Sequence, residues 1–98
     1  MPRRTYWVYL LTNRRHTTLY IGVTGDLPRR LHQHRSGRGS AFAARYNLTK
    51  LVHAEPFEDV HEAIAREKQL KRWHRGWKWN LIREHNPDLT DLAEGLGF

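Results

Sequence analysis

The chain is 98 residues long and 39% hydrophobic, which supplies one modest core and one domain, and excludes a second. It has no cysteine, so a disulfide framework and a thiolate metal site are both excluded, and a reducing, cytoplasmic setting is expected. Seventeen Lys and Arg against ten Asp and Glu give a formal charge of +7, a balance suited to a polyanionic partner such as nucleic acid. No apolar run is long enough to span a membrane, and Met1-Pro2-Arg3-Arg4 leads into an aromatic-rich segment without a signal-peptide pattern.

Taken in order, Thr5-Tyr6-Trp7-Val8-Tyr9-Leu10-Leu11 is dense in strand formers, as is Thr17-Thr18-Leu19-Tyr20-Ile21-Gly22-Val23. Asn13-Arg14-Arg15-His16 between them predicts a hairpin. Pairing Thr12 with Thr17 across a four-residue loop sets Tyr9 directly opposite Tyr20 and puts two phenols on one face. Asp26 is a suitable N-cap, with Pro28 in the first turn of a helix running to His34 or Arg35. Ser36-Gly37-Arg38-Gly39-Ser40 ends it, and a short helix from Ala41 to Tyr46 follows, capped by Ser40. Leu51-Val52-His53-Ala54 reads as a third strand closed by Pro56. Asp59 and Glu62 have capping-box spacing at the start of a helix reaching about Trp73. Gly76 marks a break or bend, Trp77 to His85 continues as helix, and Asn86-Pro87-Asp88 precedes a last short helix ending near Gly95. The order ββ-α-(α)-β-α-α predicts an α/β domain: a small, three-stranded, mostly antiparallel sheet flanked by helices. Residues 1–98 form a single domain, with a core over about 5–85 and a C-terminal extension over 86–98.

Some polar residues sit where chemistry is conceivable. In the helix from Leu27, Leu27 and Leu31 make the apolar stripe, and Arg30 and His34 are neighbours along its edge. A basic helix edge that is merely solvated reads the same way. In the helix from Val60, the apolar positions Val60, Ala63, Ile64 and Leu70 include Glu67 in their stripe, while Glu62, Arg66, Lys68 and Arg72 look solvated. A carboxylate in an inward stripe is costly unless paired or coordinated. Glu67 therefore either binds a divalent cation or is the partner of an arginine such as Arg30, and periodicity leaves both open. Tyr9 and Tyr20 on a sheet equally describe ordinary aromatic packing. The seven histidines have no zinc spacing, since His32 and His34 diverge on a helix. Lys71-Arg72-Trp73-His74-Arg75-Gly76-Trp77-Lys78 offers basic residues for a strand backbone, with Trp73 and Trp77 spaced to pack a helix on the core.

Tyr20-Ile21-Gly22-Val23-Thr24-Gly25-Asp26-Leu27-Pro28-Arg29-Arg30-Leu31-His32-Gln33-His34 resembles the GIY-YIG nuclease superfamily, and within it the small stand-alone members. Tyr20-Ile21-Gly22 matches the second half of the name motif, and Trp7-Val8-Tyr9 occupies the first, keeping the tyrosine and losing the glycine. Arg30 and His34 fall where the family has its helix Arg and His, and Glu67 where it has its metal-binding glutamate. Asn80 and Asn86 are both candidates for a later family asparagine, and neither is assigned. The resemblance implies an endonuclease that hydrolyses phosphodiester bonds with Mg²⁺ or Mn²⁺, acting most readily on DNA, in a structure- or strand-directed manner suited to repair or recombination. Glu67 would hold the metal, Arg30 the scissile phosphate, Tyr9 would be the base with His34 behind it, and Tyr20 would position water or phosphate. Exchange of the two tyrosine roles stays open. A nucleic-acid-binding module of the same fold with little cleavage is the alternative, and a protein-interaction adaptor would leave Glu67 unexplained.

Overall fold

A computed structural model describes residues 4–97; Met1-Pro2-Arg3, from which the N-terminal reading began, and Phe98 lie outside the described residues. The elements are β1 (Tyr6–Thr12), β2 (Leu19–Thr24), α1 (Leu27–Arg35), α2 (Ala41–Arg45), β3 (Lys50–Phe57), α3 (Val60–Arg72), α4 (Arg75–His85) and α5 (Leu92–Gly95). The strands form one antiparallel sheet in the order β2-β1-β3, so β1 is central and β2 is an edge. This is the α/β architecture expected from the order of the elements.

Alternation along β1 divides the core into two layers. Val8 and Leu10 face Ala63 and Leu70 of α3 and Trp79 and Ile82 of α4. Tyr9 and Leu11 face Leu27 and Leu31 of α1, Ala43 of α2 and Ala93 of α5. Both faces of β1 are thus covered, and Val8, Leu10 and Leu11 are fully buried. Each such aliphatic side chain contributes roughly 1.5–3 kcal/mol relative to exposure.

The hairpin register differs from the expected one. Thr12 pairs with Leu19, not Thr17, and Tyr9 pairs with Gly22, while Tyr20 lies opposite Leu11. The cause is local: the Asn13 side chain accepts from the Thr17 backbone N–H (2.9 Å) and donates to Thr17 Oγ1 (2.7 Å). That closure, with His16 at φ 56°, builds a loop over residues 13–18. A slip of two residues conserves the face, so Tyr9 and Tyr20 remain on one side as diagonal neighbours.

Two boundaries and the surroundings of one side chain are also corrected. β3 continues through Pro56 to Phe57, which an edge strand tolerates because its outward side needs no N–H donor. The break between α3 and α4 falls at Trp73 and His74; Gly76 lies inside the first turn of α4 and donates its backbone N–H to His74 Nδ1 (3.0 Å). Arg66 is not on a solvated face: it donates to both oxygens of Glu55 on β3 (2.8 and 3.1 Å), and its guanidinium sits over the Trp73 ring. Asp26 and Asp59 cap α1 and α3 as expected, Asp26 accepting from Arg29 N–H and Asp59 from His61 N–H, but the α3 cap is a simple Asx cap rather than a capping box with Glu62.

Candidate active site

Tyr9 is a central-strand residue whose ring lies across β2. Gly22 makes this possible: a Cβ there would come within 2.5 Å of the Tyr9 hydroxyl oxygen and 2.6 Å of Cζ. The phenol is consequently 1% exposed. Its oxygen is 2.9 Å from His34 Nε2. The Tyr20 ring packs against both, with centroids 6.1 Å from Tyr9 and 5.1 Å from His34.

His34 is 3% exposed, more deeply placed than a helix edge would be. Leu27, Leu31 and His34 stand at i, i+4 and i+7 of α1, so the imidazole is the third member of the inward stripe. A second glycine accommodates it, since a Cβ at Gly39 would lie 2.5 Å from His34 Nδ1. That Nδ1 is buried without a hydrogen-bond partner among the described residues. The whole polar capacity of the ring is therefore directed at Tyr9. Gly22 and Gly39 are site residues for which composition offers no signal; only the coordinates disclose what a side chain would displace.

The fields in this cluster oppose one another. Burial raises the Tyr9 pKa well above that of a free phenol, the neighbouring Tyr20 adds to the rise, and Glu67 adds a little more. The Arg30 guanidinium pulls it down. His34 is held below its ordinary value, first by burial and then by Arg30, so the imidazole is neutral near pH 7. Arg30 and Glu67 both act electrostatically on Tyr9, in opposite directions.

Glu67 arrives from the other layer. Helix α3 packs across β1 and β2 on the face opposite α1, and β2 is the sheet edge there. The Glu67 side chain is 16% exposed and pairs with Lys71, Nζ to Oε1 at 3.4 Å, so its ion pair is with a lysine one turn on rather than with Arg30. Its other carboxylate oxygen has no partner among the described residues. A largely buried carboxylate with one oxygen unpaired suits a hard divalent ion, which takes oxygen ligands. No group of three or more His, Cys, Asp or Glu side chains that could hold a metal ion assembles among the described residues.

The two asparagine candidates separate. Asn86 is 5% exposed, donates to the Val52 carbonyl (3.1 Å) and the Thr90 carbonyl (2.9 Å), and accepts from Thr90, tying the C-terminal segment to β3. Asn80 lies on α4 beside Trp73 and Trp77, in a shallow groove away from the phenols. Of the tryptophans, Trp73 packs on the core and Trp77 is 59% exposed.

Known proteins share the sequence and the fold of this chain. The family model described as the GIY-YIG catalytic domain matches residues 5–80. A UPF0213 protein of Limosilactobacillus reuteri is 29% identical over 94 residues, covering 94% of this chain and 97% of its own. Another, of Streptococcus pneumoniae, is 38% identical over 74 residues, 76% of this chain and 74% of its own. The solution NMR structure of a UPF0213 protein from Bacillus halodurans superposes with a TM-score of 0.55 at 25% identity, covering 92% of this chain and 95% of that one. Over most of its length, then, the chain belongs to the GIY-YIG family, a nuclease superfamily.

Proposed function

We propose that the protein is a divalent-metal-dependent endonuclease that hydrolyses phosphodiester bonds of DNA, in a structure- or strand-directed role suited to repair or recombination in the cytoplasm. The observation that carries this reading is the buried Tyr9–His34 hydrogen bond of 2.9 Å, with Tyr20 against both rings. Packing alone does not require a phenol and a neutral imidazole to face each other with no other partner for the ring.

The residues divide the work as follows. Glu67 would hold Mg²⁺ or Mn²⁺, which when bound polarises the phosphate and stabilises the leaving oxygen. Arg30 offers a two-pronged donor to the scissile phosphate and to the charge that develops on it. Tyr9 is protonated in its buried setting, so it acts as base only by passing its own proton on. Its hydroxyl donates to His34 Nε2 as it accepts a proton from the attacking water. The water oxygen bonds to phosphorus, the bond to the 3′-oxygen breaks, and that oxygen takes a proton from solvent. A neutral His34, kept so by burial and Arg30, is able to receive the proton. Tyr20, half-buried at the rim, orients the water or phosphate.

The test is cleavage of branched, flapped, single-stranded and duplex DNA, and of RNA, in Mg²⁺ or Mn²⁺, by the wild type and Glu67→Ala. The reading requires metal-dependent products from the wild type that Glu67→Ala does not make. Equal cleavage by both would sink it. The raised pKa and near-complete burial of Tyr9 favour one second reading, a nucleic-acid-binding module that turns over little. Binding without products would support that one.

A further inference from the structure

Beside the catalytic cluster, where β2 gives way to α1, a cleft of about 300 Å³ is lined by Arg4, Thr24, Gly25, Asp26, Arg29 and Arg30, among others. Its volume equals that of about ten waters, enough for a phosphate group with part of its hydration. We propose that this cleft holds the phosphodiester group adjacent to the scissile one on the substrate strand, a second phosphate subsite that sets the register of the strand on the enzyme. The inference rests on the nuclease reading above for the identity of the strand.

Several observations point to an anion in this cleft. Arg4, Arg29 and Arg30 have no carboxylate partner among the described residues, whereas Arg35 is paired with Asp91 and Arg66 with Glu55. The position of Arg4 is built into the backbone: a Cβ on Gly25 would come 3.0 Å from Arg4 Cδ and 3.3 Å from Nη1. The Arg4 side chain therefore lies flat over a residue that has no side chain. The turn beneath it is stiffened by Thr24 Oγ1, which accepts from the Asp26 backbone N–H at 3.1 Å. Asp26 lowers the local potential, but one of its oxygens accepts from the Arg29 backbone N–H at 3.2 Å, so it serves the helix start.

Arg30 joins the cleft to the chemistry, since it lines the cleft and also acts on Tyr9 and His34. Arg29 and Arg30 are consecutive on α1 and project about 100° apart around the helix axis. That divergence lets Arg30 turn to the scissile phosphate while Arg29, with Arg4, faces the next one.

The experiment measures DNA binding without divalent metal, by fluorescence anisotropy across a salt series, for the wild type, Arg4→Gln/Arg29→Gln, and the equal-charge control Arg14→Gln/Lys68→Gln. The control removes two exposed cations, one from the hairpin loop and one from α3. The slope of log Kd against log salt is expected to fall by about 0.7–0.9 for each lost phosphate contact in the first variant and to change little in the control. Equal slopes for the wild type and the first variant, or equal losses in both variants, would overturn the subsite. A second measurement uses oligonucleotides carrying one neutral methylphosphonate at successive positions. One position should weaken binding to the wild type while leaving binding to Arg4→Gln/Arg29→Gln unchanged, and a flat profile for the wild type would overturn the proposal. Failure of cleavage with this binding pattern intact would count against the nuclease reading alone.

Discussion

Replacing Gly22 by alanine tests how the site is seated on the sheet. The new Cβ would stand 2.5 Å from the Tyr9 hydroxyl oxygen, against 3.4 Å for ordinary contact, so the ring must move by about 1 Å. It has little freedom to do so, being 1% exposed and bounded by Tyr20 and His34. Overpacking of a tight core costs about 1–3 kcal/mol. Loss of the buried hydrogen bond to His34 costs about 1 kcal/mol more. The reduced freedom of the unfolded chain returns about 0.4–1 kcal/mol. The net expectation is a loss of about 2 kcal/mol, which for a domain of this size lowers Tm by about 8–16 °C. Urea unfolding measures the first quantity and a thermal melt the second. The decisive comparison repeats the substitution in Tyr9→Leu, where the ring that would clash is gone. There Gly22→Ala should cost less than about 0.5 kcal/mol. An unchanged cost in that background would refute the claim that Gly22 is needed to make room for the phenol.

Tyr9→Phe leaves buried His34 with neither nitrogen bonded, and is expected to cost about 1–3 kcal/mol in urea unfolding as well as abolishing cleavage; a variant as stable as the wild type would contradict the buried pair. Acid should weaken the fold through Glu55. Burial works to raise its pKa, but hydrogen bonds from His53 and Arg66 and the Arg66 charge outweigh that and bring it to about 2. Because the folded value is depressed, its contribution, about 1–2 kcal/mol after solvent screening of a partly exposed pair, is present above about pH 4.5 and is lost as pH falls towards 2. Arg66→Gln should flatten that acid limb in a pH series of urea midpoints, and an unaltered slope would count against the ion pair. Asn86→Ala should destabilise by about 2–3 kcal/mol while sparing the metal dependence of any cleavage, since its amide holds Val52 and Thr90. Selective loss of cleavage at full stability would instead make Asn86 part of the site.

Much of this was legible from residue spacing. The helix starts were readable because Asp26, Ser40 and Asp59 each supply a side-chain oxygen to an otherwise unpaired N–H. Glu67 stood out because charge in an apolar stripe needs a reason. The hairpin register was not readable, since it depends on Asn13 folding back on Thr17, a choice that competes with simpler turns of nearly equal energy. The depth of His34 was readable in principle from the 27, 31, 34 spacing, yet a polar third position in a stripe is easily taken for an edge. Gly25 and Gly39 were opaque because a glycine required by a close neighbour looks, in sequence, like any flexible turn.

The placement of Glu67 on one layer and His34 on the other has a consequence for assembly. On the proposed nuclease reading neither half of the protein would hold a working site, for the carboxylate comes with α3 and the imidazole with α1, and β1 and β2 stand between them. During synthesis the hairpin and α1 emerge first and can bring the phenols to the imidazole, but the carboxylate is absent until the chain beyond β3 has docked. A strand-cutting activity divided as proposed would be withheld from every partly folded form of the molecule, and the completed tertiary structure would itself be the safeguard against premature damage to nucleic acid.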